Sequence, residues 1–158
     1  SDVPSVLVFP IGAESYGIEL KQVAGVFPTV ELPPVPGASP ALLGIANLQG
    51  EVRSVLDLRR LLALPAGVDE AGGYVLLVRS SGGLVGLRVE QAADVRHVAA
   101  SDVTSAELNP DDRLARYVRG VTPDKVMLLN LETLLDPASH RSSPEQSVAL
   151  PTDVKGSP

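Results

Sequence analysis

Few residues of this chain have the type and spacing that chemistry requires. Asp57 stands where the apolar run Val55-Leu56 gives way to Leu58-Arg59-Arg60-Leu61-Leu62. A carboxylate there could be a nucleophile or metal ligand. The better account is an N-cap, because an Asx side chain at a strand-to-helix junction accepts a hydrogen bond from an early helical N–H. Asn130 holds the same place before Leu131-Glu132-Thr133-Leu134-Leu135, so Asp57 and Asn130 are read as structural caps. Of the two histidines, His140 falls in a Pro/Ser-rich tail and His97 has no partner within a recognisable motif. Asp111-Asp112 could be a carboxylate pair, but adjacent residues after Pro110 read better as a solvated turn. Arg113, Arg116 and Arg119 could line one helical face and meet an acidic partner; a solvated edge before Tyr117-Val118 is the plainer account. Gly82-Gly83-Leu84-Val85-Gly86 is glycine-rich but opens a strand, so it lacks the helix dipole that cradles phosphate. No G-x-S-x-G, P-loop, H-E-x-x-H or EF-hand pattern is present, and no Cys supplies a thiolate. The residues point away from an enzyme: no catalytic, metal-binding or cofactor-binding residue is assigned.

The elements that carry these residues are mostly strands. Val6-Leu7-Val8-Phe9, the turn Gly12-Ala13-Glu14-Ser15 and Tyr16-Gly17-Ile18-Glu19-Leu20 read as a hairpin, with Ile18 and Leu20 on one face. Val75-Leu76-Leu77-Val78, Ser80-Ser81-Gly82-Gly83 and Leu84-Val85-Gly86-Leu87-Arg88-Val89 repeat the design. Leu32-Pro33-Pro34-Val35-Pro36 cannot be a central strand, because proline donates no ladder hydrogen bond. Ile18, Leu20, Val55, Leu56, Leu87 and Val89 are expected to supply much of the core.

The two hairpins match in register. Phe9 and Val78, Gly17 and Gly86, Ile18 and Leu87, and Leu20 and Val89 all lie 69 residues apart. Val55 to Leu62 matches Leu128 to Leu135 at an offset of 73. Two ordered echoes at nearly equal offsets point to duplication. The expected organisation is a first β subdomain over 1–64, a second over 74–135, and a Pro/Ser-rich tail over 136–158. Each half of about 60 residues would bury only about 60% of its unfolded surface, so the two should pack on each other as one unit.

A length of 158 residues fits one domain or two small subdomains. Thirteen basic against nineteen acidic side chains, a net −6, argue against nucleic acid as a partner. The five aromatics are too scattered to form base-stacking platforms. No apolar run approaches the length of a membrane-spanning helix, so no direct membrane insertion is expected.

Tyr16-Gly17-Ile18-Glu19-Leu20, then Leu32-Pro33-x-x-Pro36, then Gly44-Ile45-Ala46-Asn47-Leu48-Gln49-Gly50 and Val52-Arg53-Ser54-Val55-Leu56-Asp57-Leu58 together resemble the CheW family of bacterial chemotaxis coupling proteins. The likeness runs from about Val6 to Leu135 and rests on the order and spacing of the motifs. It implies an all-β fold of two tandem five-stranded SH3-like barrels packed on each other, with short helical turns. It further implies a cytoplasmic scaffold at receptor arrays, without cofactor, that bridges the regulatory domain of a CheA-type histidine kinase and the cytoplasmic tip of a chemoreceptor. The family's receptor-linked positions correspond to Val23, Gly25 and Gln49; the kinase-side contact is expected around Leu48, Gly50 and Val52. The chain departs from the family pattern at Gln49, where an Arg is usual, at Gly25, where Glu is frequent, at Ser54, where Pro is usual, and at Glu90, where Asp is usual. Gln has neither the charge nor the five-donor fork of Arg, which implies weaker pairing with an ordinary receptor and fits an auxiliary adaptor. Two alternatives remain: a CheW-like regulatory domain of a larger kinase or fused regulator, and a small-ligand-binding β domain.

Overall fold

Ten strands and two one-turn helices form two five-stranded sheets in the computed structural model, which describes residues 4–29, 32–33, 35–37, 39–65, 73–91, 94–104 and 113–136. In chain order they are β1 (Ser5–Ile11), β2 (Glu14–Glu19), β3 (Val23–Pro28), β4 (Leu42–Leu48), β5 (Glu51–Asp57), α1 (Leu58–Leu61), β6 (Tyr74–Ser80), β7 (Gly83–Val89), β8 (Asp94–His97), β9 (Val118–Val121), β10 (Val126–Leu129) and α2 (Leu131–Leu134). Asp111, Asp112, His140 and the tail from 137 onward lie outside the described residues. Among the described residues no helix is long and apolar enough to cross a membrane.

Strand order runs β8-β1-β2-β10-β9 in sheet one and β3-β6-β7-β5-β4 in sheet two. Each sheet therefore takes strands from both halves of the chain. This corrects the expected division: 1–64 and 74–135 are sequence repeats, but neither builds a sheet by itself. The reason lies at Leu20. The strand ends at Glu19, and a 3-10 turn over Leu20–Gln22 carries the chain out of sheet one before β3 begins. Sheet two then closes by parallel pairing of β5 with β7, and sheet one by parallel pairing of β2 with β10.

This exchange sets three apolar clusters. Val6, Val8, Val126 and Leu128 fill sheet one, and Leu48, Val55, Val75 and Leu77 fill sheet two. Between the sheets lies the largest cluster, with Phe9, Ile18, Leu76, Val78 and Leu87 joined by Leu58 and Leu61 of α1 and Leu131 and Leu134 of α2. Strands β1, β6 and β10 bury both faces, which is why they read as unbroken apolar runs. Of the six residues expected in the core, Ile18, Val55, Leu87 and Val89 are buried, while Leu20 and Leu56 pack half-buried against the central cluster.

The duplication is visible residue by residue. Gly86 lies beside Val55 across the parallel ladder, and Gly17 lies beside Leu128. On the other side Gly44 pairs with Val55 and Gly120 with Leu128. Each sheet thus carries a row of glycine, apolar residue, glycine. A Cβ at Gly17 would stand 2.7 Å from Val6 Cγ1 and 3.0 Å from Leu128 Cδ2. A Cβ at Gly44 would stand 2.8 Å from both Leu32 Cβ and the Pro33 carbonyl, where the proline connector straps over the strand. Val103 and Thr104 cross Gly120 in the same way, and Thr104 also exchanges backbone hydrogen bonds with Val121. Gly17→Ala is expected to lower stability by about 1–3 kcal/mol through overpacking, whereas Gly82→Ala, whose Cβ would meet only Ser80 Oγ at 4.0 Å, should change it by less than about 1 kcal/mol. Urea unfolding of the two variants checks this, and equal losses would contradict it.

Candidate functional site

The β4–β5 hairpin and its turn carry Leu48, Gln49, Gly50 and Val52 of the residues singled out from sequence. Gln49 and Gly50 form the two-residue turn, both at positive φ (56° and 83°), the arrangement that matches the twist of a hairpin. Asn47 Oδ1 accepts a hydrogen bond from the Gly50 N–H at 2.9 Å and stiffens the turn. Gly25 lies next to it across the open end of sheet two: a side chain at 25 would begin 3.1 Å from Gln49 Nε2 and 3.0 Å from the Phe27 ring. The ladder of β3 with β6 is irregular between Val23 and Gly25. Val23 itself packs against the central cluster. Gly25 and Gln49 are therefore neighbours, with Val23 at the seam end of the same strand.

Register separates the expected kinase-side residues. Asn47 pairs with Val52 and Ile45 with Ser54, so these four share one face. Val52 is 70% exposed and Ile45 46% exposed. Leu48 is on the opposite face, 5% exposed and packed with Val55, Val75 and Leu77, so it supports the hairpin from beneath. Ile45 takes its place on the surface. The run Leu42-Leu43-Gly44-Ile45-Ala46-Asn47-Leu48 is apolar on both faces, and only the strand register reveals which residue is outside.

The caps are explicit. Asp57 Oδ2 accepts from the Arg60 N–H and Asn130 Oδ1 from the Thr133 N–H, each at 3.2 Å. α1 ends at Leu61 with Leu62 as its C-cap, and Ala63 then takes a positive φ of 59° before Pro65 is reached. Asp57 does more than cap: its Oδ1 accepts from Arg88 Nη1 at 3.1 Å with both side chains buried. Beside it, Arg59 grips Glu90 with two hydrogen bonds, one of them Nη2 to Oε1 at 2.8 Å, and also donates to the Pro65 carbonyl. These pairs tie the first half of the chain to the second. Sequence reading missed them, because partners 31 residues apart on different repeats carry no local signal.

The remaining candidates are not drawn into a site. Ser5 Oγ lies 3.1 Å from His97 Nδ1 on the exposed edge strand β8. Arg113–Arg116 form a 3-10 turn whereas Arg119 sits on β9, so the three arginines share no helical face. The Arg116 guanidinium lies 6.0 Å from the Tyr117 ring centroid, and Arg119 binds Glu19 at 2.7 Å. Among the described residues no three His, Asp or Glu side chains gather where a metal ion could sit.

The Arg59 hydrogen bond holds the Glu90 carboxyl below the usual carboxylate range, against the opposing effect of burial. A depressed folded-state pKa contributes stability above the unfolded value, and that stability is lost as pH falls through the folded value. Wild type should therefore melt above Glu90→Gln at neutral pH, and the gap should shrink as pH falls below the ordinary carboxylate range. Thermal melts across pH 7 to about 3 read this directly; a gap independent of pH would show that the carboxylate charge is not involved.

The fold has a solved counterpart in the scaffolding protein TtCheW from Thermoanaerobacter tengcongensis, with a TM-score of 0.75 at 21% identity over 89% of this chain and 98% of that one. Chemotaxis protein CheW of Bacillus subtilis (strain 168) is 28% identical over 146 residues, covering 90% of this chain and 94% of the relative. Chemotaxis protein CheW of Treponema pallidum (strain Nichols) is 29% identical over 121 residues, covering 73% and 71%. The CheW-like domain profile matches residues 5–139, and with the paired five-stranded sheets and the β4–β5 surface in place, the chain belongs to the CheW-like domain family.

Proposed function

We propose that this chain is a non-catalytic coupling adaptor of chemotaxis-type signal transduction, working in the cytoplasm at receptor arrays. It holds the regulatory domain of a CheA-type histidine kinase on one surface and a chemoreceptor tip on another. The observation that carries this reading is the β4–β5 hairpin, which presents Ile45 and Val52 to solvent beside a stiffened turn, in a chain whose family match covers 5–139. A strand face that exposes Ile45 and Val52 between the polar Asn47 and Ser54, next to an ordered turn, suits contact with another small β domain.

Ile45, Gly50 and Val52 make the kinase-side contact, with Leu48 supporting them from inside. Val23, Gly25 and Gln49 make the receptor-side surface. A Glu and an Arg at the last two positions would face each other across a few ångströms, one charge of each sign; Gly25 and Gln49 supply neither. Receptor tips of the ordinary kind therefore bind weakly and with little dependence on salt.

Titration of a CheA regulatory domain and a receptor-tip peptide against three proteins tests both surfaces. Ile45→Asp/Val52→Asp should weaken kinase-domain binding roughly tenfold or more without moving the unfolding midpoint by much. Gly25→Glu/Gln49→Arg should leave kinase binding alone and gain receptor affinity that falls with added salt. Kinase-domain binding untouched by the aspartates would place that contact elsewhere. Binding of neither partner by the wild type would remove the adaptor reading.

A further inference from the structure

We propose that the two pseudo-equivalent junctions of this molecule differ in strength, so that the β2–β10 junction is where the β9–β10 hairpin and α2 part from the rest of sheet one while the β5–β7 junction stays shut. The inference rests on the fold and its charges, independently of any partner. Repeat offsets place Asp57, Arg59, Arg88 and Glu90 in register with Asn130, Glu132, Glu19 and Lys21.

At β5–β7 the Arg59–Glu90 fork joins α1 to the residue just past β7, with side chains only 13% and 17% exposed. The depressed Glu90 carboxyl indicates that the pairing outweighs its desolvation. The adjacent buried Asp57–Arg88 pair adds registry more than net strength, since such pairs often only balance their own desolvation. At β2–β10 the corresponding positions carry no such fork. Lys21 turns to Glu19 at 3.6 Å with its side chain 82% exposed, and Glu132 accepts from the Ser81 backbone N–H at 3.2 Å. The Glu19–Arg119 pair is there instead, but Arg119 is 43% exposed, and exposed pairs are weak and screened.

Two further differences act in the same direction. β5 is backed by a hairpin of seven-residue strands, β4 and β5, whereas β9 and β10 have four residues each. The parallel ladders themselves are equal at three residue pairs each, so what differs is the support behind them: β4 pairs with β5 at six positions and β9 with β10 at three. A cleft of about 470 Å³ lies between the β6–β7 turn at Ser80 to Gly82 and α2 at Glu132 and Thr133, with Asp136 just past the helix. The cleft is open and wide enough for water, so its two walls are not packed on each other. Opening here lifts α2 and β10 away from β2 and the β6–β7 turn.

Native-state hydrogen exchange on the full chain tests this. Peptides covering β10 and α2 should exchange roughly tenfold or more faster than peptides covering β5 and α1, through sub-global opening. Moving the fork to the other junction, as Lys21→Glu/Glu132→Arg, should slow β10 exchange toward that of β5. Removing it, as Arg59→Gln/Glu90→Gln, should speed β5 exchange and leave β10 unchanged. Protection of β10 equal to or above that of β5 in the wild type would overturn the proposal, whether or not either variant folds. The expected asymmetry, unmoved by both variants, would overturn the role given to the fork.

Discussion

Everything in this molecule depends on two parallel ladders, β5 on β7 and β2 on β10. A parallel pair cannot be closed by a tight turn and needs a long crossover. Here the crossovers are whole supersecondary units, so neither sheet exists until both halves of the chain are present. Glu19 meets Arg119 across 100 residues of chain and Asp57 meets Arg88 across 31. Such non-local pairing makes folding slow relative to a helical protein of this size. It also makes the unit cooperative, because α1 and α2 both seal the one central cluster that the two sheets share.

Parallel closure places a strand from one half between two strands it must approach closely. The rows Gly86–Val55–Gly44 and Gly17–Leu128–Gly120 make that approach feasible. The inner glycine clears the sheet interior, and the outer one clears the connector that straps over the edge strand. The straps also limit exposure of the edges, since a prolyl connector or a single bridging residue leaves less unpaired backbone for another chain to join. The backbone is therefore two-fold repetitive, whereas the side chains at the tips and helix starts are not.

The hairpins, their register of equivalence and the two cap positions were legible in the sequence because each rests on local chemistry. Gly17 and Gly86, and Asp57 and Asn130, occupy matching places in the structure. The exchange of strands was not legible, and for a physical reason. Repeats with similar apolar patterns can pair within a copy or between copies at comparable cost; what decides is the course of short segments such as Leu20–Gln22, which carry no strong pattern. The faces of β4 were hidden for a related reason. With Leu42, Leu43, Ile45, Ala46 and Leu48 in one run, alternation gives no phase, and Leu48 and Ile45 trade roles once the pairing with β5 is known.

A duplicated fold that presents unlike surfaces has to break its own symmetry without breaking its core. The core positions keep their type: Val55 and Leu128, Leu58 and Leu131, Leu61 and Leu134 are all apolar and all buried. The divergence falls where burial constrains least. One hairpin is drawn out to seven-residue strands that display Ile45 and Val52, while its counterpart stays at four. One cap position keeps a carboxylate and an arginine fork beside it; the other is an amide with its neighbours' charges changed in sign. A substitution at these sites alters a surface or the strength of a junction while the glycine rows and the central cluster continue to specify the backbone. That separation lets the repeats present unlike surfaces on like sheets, with the differences gathered at the hairpin strands and helix starts rather than in the shared core.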